Sequence, residues 1–146
     1  MKYPPFLVSL SNLSFRSWGD LRIDGYIDGK LAGSRTISGS GTDDRLVVKP
    51  DDPELDADGR DATRLVLAVT DAYGNLRPFA TGAIQLSIRG PGQIIGENPF
   101  AVSGGAGAVW VRAQEAAGTI RIEARHPYLG TGRAEIRVRS KEPEFL

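Results

Sequence analysis

The stretch LDADGRDATRLVLAVTDAYGN, residues 55–75, is the part of the sequence that decides the fold. In its second half Leu65, Leu67 and Val69 alternate with smaller or more polar residues, and this period of two is typical of a strand with one buried face. An Ala-Asp-Gly sequence precedes the alternating run and a Tyr-Gly-Asn sequence follows it, and Gly, Asp and Asn favour turns. The stretch therefore predicts a turn, a strand and a second turn.

Four segments farther along the chain repeat this pattern of an alternating run bounded by turn residues. Their inward-facing residues are predicted to be Ile84, Leu86 and Ile88; Val109, Val111 and Ala113; Ile120, Ile122 and Ala124; and Ala134, Ile136 and Val138. Shorter strands are predicted at residues 45–49, where Leu46 and Val48 face the core, and at residues 93–95. No stretch has a helical pattern of adequate length. The sequence therefore predicts an all-β, antiparallel sandwich of about seven strands.

The N-terminal part of the chain has a different organisation. Leu21, Ile23 and Ile27 belong to one alternating run, and Asp28-Gly29 separates it from a second run at residues 30–37. Asp-Gly between two extended runs predicts a β-hairpin, because Gly tolerates the positive φ of a type I′ turn. A hairpin is therefore expected to precede the sandwich.

The Gly-, Ser- and Asp-rich residues 38–44 are interpreted as a linker. We therefore divide the chain into a hairpin and linker at residues 1–43, a sandwich at residues 44–140 and a tail at residues 141–146. A two-stranded hairpin alone is marginally stable in water. This hairpin is thus expected to pack either on the sandwich or on a neighbouring part of a longer chain.

Composition argues against several classes of function. The 146 residues include 18 Lys plus Arg and 18 Asp plus Glu, so the net charge is zero. Such a chain lacks the basic surface expected of a nucleic-acid-binding protein and the polybasic segment that attaches proteins to anionic membranes. The apolar stretch at residues 5–10 is shorter than a signal peptide requires. The sequence has no cysteine, which leaves the compartment open between cytoplasmic and secreted.

Two polar features could carry chemistry, and both favour a structural role. His126 is the only histidine, and without a nucleophile elbow a Ser-His-Asp triad has little support. The acids of residues 51–61 could bind calcium, which prefers clustered oxygen ligands. Gly59 falls at the wrong position for an EF-hand loop, so a solvated turn is the favoured interpretation. These acids are Asp51, Asp52, Glu54, Asp56, Asp58 and Asp61.

Three glutamates are candidates for a glycosidase pair, which in retaining enzymes requires two carboxylates about 5 Å apart. Glu97 lies in a Gly- and Pro-rich loop, whereas Glu123 and Glu135 occupy predicted solvent-facing positions of strands. Opposite charges on neighbouring strands attract each other, so we expect Glu123 and Glu135 to pair with the nearby Arg121 and Arg137. The sequence therefore predicts no catalytic residue, no metal site and no cofactor site.

Aromatic rings offer a candidate for binding without catalysis. Exposed rings can stack on sugars or contact a neighbouring domain, and they can equally cover the edges of a core. Trp110 lies on the polar face of its predicted strand, and Trp18, Tyr73 and Tyr128 lie near turns or the hairpin. These four residues are the candidate contacts for carbohydrate or for another domain.

The stretch at residues 55–75 resembles the opening of bacterial immunoglobulin-like modules, in which an Ala-Asp-Gly turn precedes a strand ending in Asp-x-x-Gly-Asn. Two families share this opening, namely the C-terminal immunoglobulin-like domain of glycoside hydrolase family 2 β-galactosidases and the invasin and intimin repeat of adhesins. SIRGPGQIIGENPF, residues 87–100, is similar to the glycosidase family, where a strand ends in Gly-Pro-Gly and returns through Ile-Gly. Residues 107–112 and 118–130 continue the resemblance, and residues 18–31 resemble the end of the preceding domain in such enzymes.

The resemblance implies an immunoglobulin-like sandwich that is a non-catalytic, structural or docking domain of a β-galactosidase-type enzyme. In that family two glutamates of a separate TIM barrel cleave the glycosidic bond. The implied partners are that barrel and the other β-domains of the same parent chain, with carbohydrate as a further candidate. Glu97-Asn98-Pro99 reverses the order of the family's Asn-Glu-Pro motif, so no catalytic residue is carried over. A carbohydrate-binding module and an invasin-like adhesin repeat stay open as alternatives.

Overall fold

The computed structural model describes residues 9 and 19–140, and all of its regular elements are strands. The predicted fold class is confirmed, because the described residues contain no helix; accordingly, none of them forms a helix long and apolar enough to cross a membrane. The strands are β1 (Leu21–Ile27), β2 (Lys30–Ile37), β3 (Arg45–Pro50), β4 (Glu54–Asp56), β5 (Ala62–Thr70), β6 (Gly82–Arg89), β7 (Gly92–Ile95), β8 (Phe100–Val102), β9 (Ala106–Ala113), β10 (Gly118–His126) and β11 (Gly130–Arg139).

Nine of these strands form a sandwich of two sheets. One sheet has the order β4-β11-β10-β6-β8 and the other has the order β3-β5-β9-β7. The pairs are antiparallel except β4 with β11, which is parallel. The count exceeds the predicted seven or so because β4 and β8 have only three residues each, which is too short for an alternating pattern to be visible in the sequence.

The core lies between the two sheets and consists of the predicted inward-facing residues. Twelve of the predicted core residues of the sandwich strands are buried, while Val48 and Ile88 are half-buried and pack against the same cluster. Leu55 and Val102, from the short strands β4 and β8, are buried core residues that the sequence pattern did not predict. The confirmed residues are Leu46, Leu65, Leu67, Val69, Ile84, Leu86, Val109, Val111, Ile120, Ile122, Ile136 and Val138.

The hairpin of β1 and β2 belongs to a separate compact unit at residues 1–40, and the sandwich belongs to a unit at residues 41–146. Asp28 and Gly29 both have positive φ, 50° and 77°, which confirms the predicted turn because a type I′ turn requires positive φ at both central residues. Large apolar side chains of the hairpin are exposed, among them Tyr26 and Ile27. The assignment of residues 1–43 to the end of a preceding domain stays a prediction.

Candidate binding surfaces

The outer face of the five-stranded sheet carries a ladder of paired charges. The Arg121 Nε donates to Glu135 Oε1 at 3.0 Å, and Glu123 accepts from Arg125 at 3.0 Å and from Arg133 at 3.3 Å. These hydrogen bonds, first that of Arg125 and then that of Arg133, lower the pKa of the Glu123 carboxyl below its ordinary value. All of these side chains except Glu123 are largely exposed, so each pair contributes little to stability.

The register explains which charges pair. Arg121 lies directly opposite Glu135, Glu123 lies opposite Arg133, and Arg137 lies opposite Thr119. The predicted pairing of the two glutamates with arginines of neighbouring strands is therefore right for Arg121 and wrong for Arg137. Arg137 cannot be a directly opposite partner of either glutamate because its cross-strand neighbour is a threonine.

Three cavities on the outer face of the five-stranded sheet are each lined by a single carboxylate. A cavity of about 260 Å³ is lined by Arg89, Arg121, Arg133 and the single acid Glu123, together with Ser87 and Ile122. A second, more open cavity holds Glu135 as its single acid. The arrangement needed for a retaining glycosidase, two carboxylates flanking one sugar bond, is therefore not assembled in these cavities.

Glu97 and its neighbours have a structural explanation. The Asn98 Oδ1 accepts from the Leu86 backbone N–H at 2.9 Å, and its Nδ2 donates to the Leu86 carbonyl oxygen at 2.8 Å. The side-chain amide thus satisfies the backbone of β6 as a neighbouring strand would. Glu97 is exposed in this loop. The segment therefore supports the edge of the sheet.

The acidic stretch forms capped turns. The Asp58 Oδ1 accepts from the backbone N–H groups of Arg60 and Asp61, both at 2.8 Å. The Asp61 Oδ2 accepts from the Asp56 backbone N–H at 2.8 Å. Asp side chains commonly stabilise turns by accepting hydrogen bonds from nearby backbone N–H groups. Within residues 19–140 no group of three or more His, Cys, Asp or Glu side chains is arranged to hold a metal ion.

The outer face of the four-stranded sheet is apolar in its middle, and we call it the Trp110 face. Trp110 is 52% exposed and lies between Arg64 of β5 and Ile95 of β7. Two residues farther along the same pair of strands, Val66 lies opposite Ala108. The Trp110 face consists of Val47, Val66, Ala68, Ile95, Ala108 and Trp110.

Cations surround the Trp110 face. Arg45 and Lys49 flank Val47 on the same side of β3. Arg64 lies on the adjacent strand β5, and Arg112 lies on β9, the next strand of the sheet. The acid on this side is Asp51, whose Oδ2 accepts from the Arg64 Nε at 2.7 Å. The Trp110 face is therefore an apolar strip with a net positive rim.

One end of the sandwich is built by the segment that joins β5 to β6, residues 71–81. Asp71 is 1% exposed, and its Oδ1 accepts from the backbone N–H groups of Tyr73 at 2.9 Å and Asn75 at 2.8 Å. The Asn75 Nδ2 donates to Asp71 Oδ2 at 2.8 Å. Farther along, Arg77 Nε donates to Asp44 Oδ1 at 2.8 Å. These contacts hold the segment in one conformation.

His126 joins this segment to the turn between β10 and β11. Its Nδ1 accepts from the backbone N–H groups of Tyr128 at 3.2 Å and Leu129 at 3.3 Å. The ring proton therefore lies on Nε2, which donates to the Thr81 carbonyl oxygen at 3.3 Å. His126 is 5% exposed, and it packs over Gly82, where a Cβ would lie 2.4 Å from Nε2. The expected structural role of His126 is thus supported by its contacts.

This end of the sandwich, which we call the ring end, presents aromatic side chains to solvent. Phe79 is 95% exposed and Tyr128 is 89% exposed, and Tyr73 is half exposed. The Tyr128 ring lies 6.1 Å from the His126 ring, centroid to centroid. The ring end is defined by Tyr73, Phe79 and Tyr128.

Of the four aromatic residues predicted as contacts, two lie at the ring end and one lies elsewhere. Tyr73 lies on segment 71–81 and Tyr128 on the β10–β11 turn at that same end, whereas Trp110 lies on the outer face of the four-stranded sheet. Trp18 lies outside the described residues. Phe79 was missed by the sequence reasoning, although an aromatic residue next to a proline in a turn segment is a signal that could have identified it.

The two packed sheets, with strands ending in Asp-capped turns, define a β-sandwich module of the immunoglobulin-like type. The chain belongs to the family "Glycoside hydrolase family 2 C-terminal domain 5", whose model matches residues 46–135.

Curated relatives agree with this family. A beta-galactosidase of Thermoanaerobacter pseudethanolicus is 33% identical over 136 residues, which cover 88% of this chain and 18% of the relative. A beta-galactosidase of Rhizobium radiobacter is 31% identical over 122 residues, 84% of this chain and 88% of the relative. The chain spans less than a fifth of the first relative, so it corresponds to an accessory domain of a glycoside hydrolase of that kind.

Solved structures share the fold. A glycosyl hydrolase family 2 member from Bacteroides cellulosilyticus matches with a TM-score of 0.66 and 23% identity, over 84% of this chain and 18% of that chain. A beta-glycosidase from Bacteroides vulgatus matches with a TM-score of 0.67 and 16% identity, again over 84% and 18%. At these identities the likeness concerns the fold.

Proposed function

We propose that this chain is a non-catalytic docking domain of a β-galactosidase-type enzyme, and that its parent chain hydrolyses β-galactosides with a separate catalytic barrel. The observation that carries the proposal is the family match together with relatives named beta-galactosidase, of which the chain spans 18% in the first case. Because the domain takes up 18% of that relative, the rest of a chain of that length is long enough for a catalytic barrel of typical size.

The glutamates support a role without catalysis. Glu123 and Glu135 form hydrogen bonds with arginines, and each lines its cavity as a single carboxylate, Glu123 beside three arginines and Glu135 beside Arg137. The purified chain is therefore expected to leave a chromogenic β-galactoside unhydrolysed. Turnover above the rate of a matched blank would contradict the proposal.

The Trp110 face is the surface proposed for docking. Its partner is another domain of the same parent chain that presents an apolar surface with carboxylates around it. An apolar sheet face with a half-exposed tryptophan is the kind of surface that proteins cover. The positive rim formed by Arg45, Lys49 and Arg112 disfavours a second copy facing it, because like charges would meet, and favours an acidic partner. The outer face of the other sheet, with its paired charges, lacks this apolar strip.

Docking is tested in the full-length enzyme by placing a charge on the Trp110 face. Trp110→Asp is expected to lower the melting temperature of the enzyme and to release residues 41–140 on brief proteolysis. The control is Thr131→Asp, which adds the same charge at an exposed position of β11 on the opposite face. Equal effects of the two substitutions, or none, would contradict the choice of surface.

The proposal about the parent chain is tested by sequencing the gene that encodes residues 1–146. An open reading frame that joins residues 1–146 to a barrel with two catalytic glutamates is the expected result. Tandem copies of the module from Ala-Asp-Gly to Gly-Asn, with no barrel, would instead favour the adhesin alternative and overturn the proposal.

A further inference from the structure

Phe79 and Tyr128 are exposed to a degree that the fold does not require. At 95% and 89% their rings cover no part of the core, whereas an aromatic side chain that contributes to folding is ordinarily buried over much of its area. Both residues are therefore candidates for contact with something outside this domain.

Their backbones are held close to each other. Arg125 of β10 pairs with Gln85 of β6 in antiparallel register, so the residues that follow β10 lie level with those that precede β6. The His126 side chain then bridges the two segments, since Nε2 contacts the Thr81 carbonyl and Nδ1 accepts from the Tyr128 N–H. Phe79 is two residues before Thr81.

The segment that carries Phe79 is also fixed from the other side. The Ala80 backbone N–H donates to the Arg77 carbonyl at 3.0 Å, and the Gly105 N–H donates to the Ala80 carbonyl at 3.1 Å. Gly105 has a φ of 82°, and a Cβ there would lie 2.1 Å from the Arg77 carbonyl oxygen, so the close approach requires glycine. Phe79 thus projects from a backbone whose ordering is already achieved before a ligand binds.

We infer that Phe79 and Tyr128 form a stacking platform for the rings of a β-galactoside oligosaccharide. The ligand class rests on the proposed function, because a galactosidase meets galactosides. The axial hydroxyl of galactose leaves C–H groups together on the opposite face of the sugar, and that face stacks on an aromatic ring. The Tyr128 hydroxyl and the exposed Thr81 side chain supply polar groups beside the rings.

The surroundings of the rings favour a sugar over a protein partner. Both rings lie on segments that connect strands and not on a flat sheet face such as the Trp110 face, and the exposed polar residue Thr81 lies two positions after Phe79. A sugar stacked on a projecting ring needs contact with that ring and a few hydrogen bonds. A protein interface would need a larger apolar centre.

The test is titration of the 146-residue chain with β-1,4-galactotetraose, followed by ¹H–¹⁵N NMR, with cellotetraose as a sugar of equal length. Binding of galactotetraose is expected, with shifts concentrated at residues 77–81 and 127–129. Phe79→Ala and Tyr128→Ala are each expected to weaken binding about fivefold, within the range for one stacked ring. Both side chains are exposed, so thermal unfolding should show that both variants fold.

Tyr26→Ala is the matched control, since it removes an exposed ring from the hairpin of β1 and β2 and should leave the affinity unchanged. Absence of galactotetraose binding would overturn the inference and leave the rings as contacts to another domain. Binding of cellotetraose alone would overturn the ligand class, and loss of binding in Tyr26→Ala would overturn the location. These outcomes are independent of the gene structure and of the docking test in the full-length enzyme, which examine the proposed function itself.

Discussion

Replacement of Asp71 by alanine should destabilise the sandwich far more than the same replacement of an aspartate that caps an exposed turn. Asp71 is 1% exposed, and its Oδ1 accepts from two backbone N–H groups, those of Tyr73 and Asn75. Hydrogen bonds to a charged group contribute about 1.5–3 kcal/mol each. Because Tyr73 is half exposed, water can replace part of what is lost, so we take the lower value for each bond and expect about 3 kcal/mol.

Two further substitutions make this expectation specific. Asp71→Asn keeps one carbonyl oxygen for the two backbone donors, and the Asn75 amide can rotate to meet the new amide group, so the expected loss falls to about 1 kcal/mol. Asp58→Ala removes an aspartate that also accepts from two backbone N–H groups, but in an exposed turn. Water reaches those donors, and the expected loss is below about 1 kcal/mol.

The assay is urea unfolding followed by Trp110 fluorescence in a Trp18→Phe background, so that the signal comes from the sandwich. The slope of the free energy of unfolding against urea should stay constant while the midpoint falls. A loss of under about 1 kcal/mol for Asp71→Ala, or one equal to that of Asp58→Ala, would refute the argument that burial makes the hydrogen bonds of Asp71 strong.

Three other perturbations test the remaining contacts. Gly82→Ala places a Cβ 2.4 Å from His126 Nε2 at a φ of 152°, and overpacking together with backbone strain should cost about 1–3 kcal/mol in urea unfolding. Because His126→Ala removes the clash, the double variant should lose less stability than the sum of the two single losses, and strict additivity would contradict the clash. Ile136→Ala, at a fully buried core position, should cost about 2–5 kcal/mol, and a loss typical of a surface site would contradict the core assignment. Arg133→Gln should raise the pKa of Glu123 towards its ordinary value in an NMR titration, because Arg133 helps to lower it. A carboxyl pKa that is lower in the folded than in the unfolded state stabilises the fold at pH values above the unfolded pKa, and this stabilisation is lost as the pH falls through the folded pKa. An unchanged titration midpoint in Arg133→Gln would contradict the ion pair.

The long strands could be predicted from the sequence because their information is local. In β10 and β11 each apolar residue lies between polar ones, and the period of two directly gives the buried face. The burial of Leu55, which is 1% exposed, was not predicted by this pattern. This residue is flanked by acids, and its burial depends on the parallel pairing of β4 with β11, a contact between residues more than 80 positions apart, which no local pattern records.

The candidate surfaces were predictable only in part. Tyr73, Trp110 and Tyr128 could be chosen as exposed rings because each interrupts or follows an alternating run. That Tyr128 shares one end of the sandwich with Phe79 depends on His126, which reaches across from β10 to Thr81. A side chain that bridges two distant segments produces no periodic pattern in the sequence. Which residues form the ring end could therefore be determined only from the structure.

The packing of His126 over Gly82 also has a consequence for the evolution of this family. A glycine at this position gives the imidazole the room it occupies, and the imidazole gives the β10–β11 turn its hydrogen bonds. Homologues should therefore keep or lose the two residues together. A homologue with a side chain at the position of Gly82 should have a smaller residue at the position of His126. Its β10–β11 turn should then differ in length or sequence.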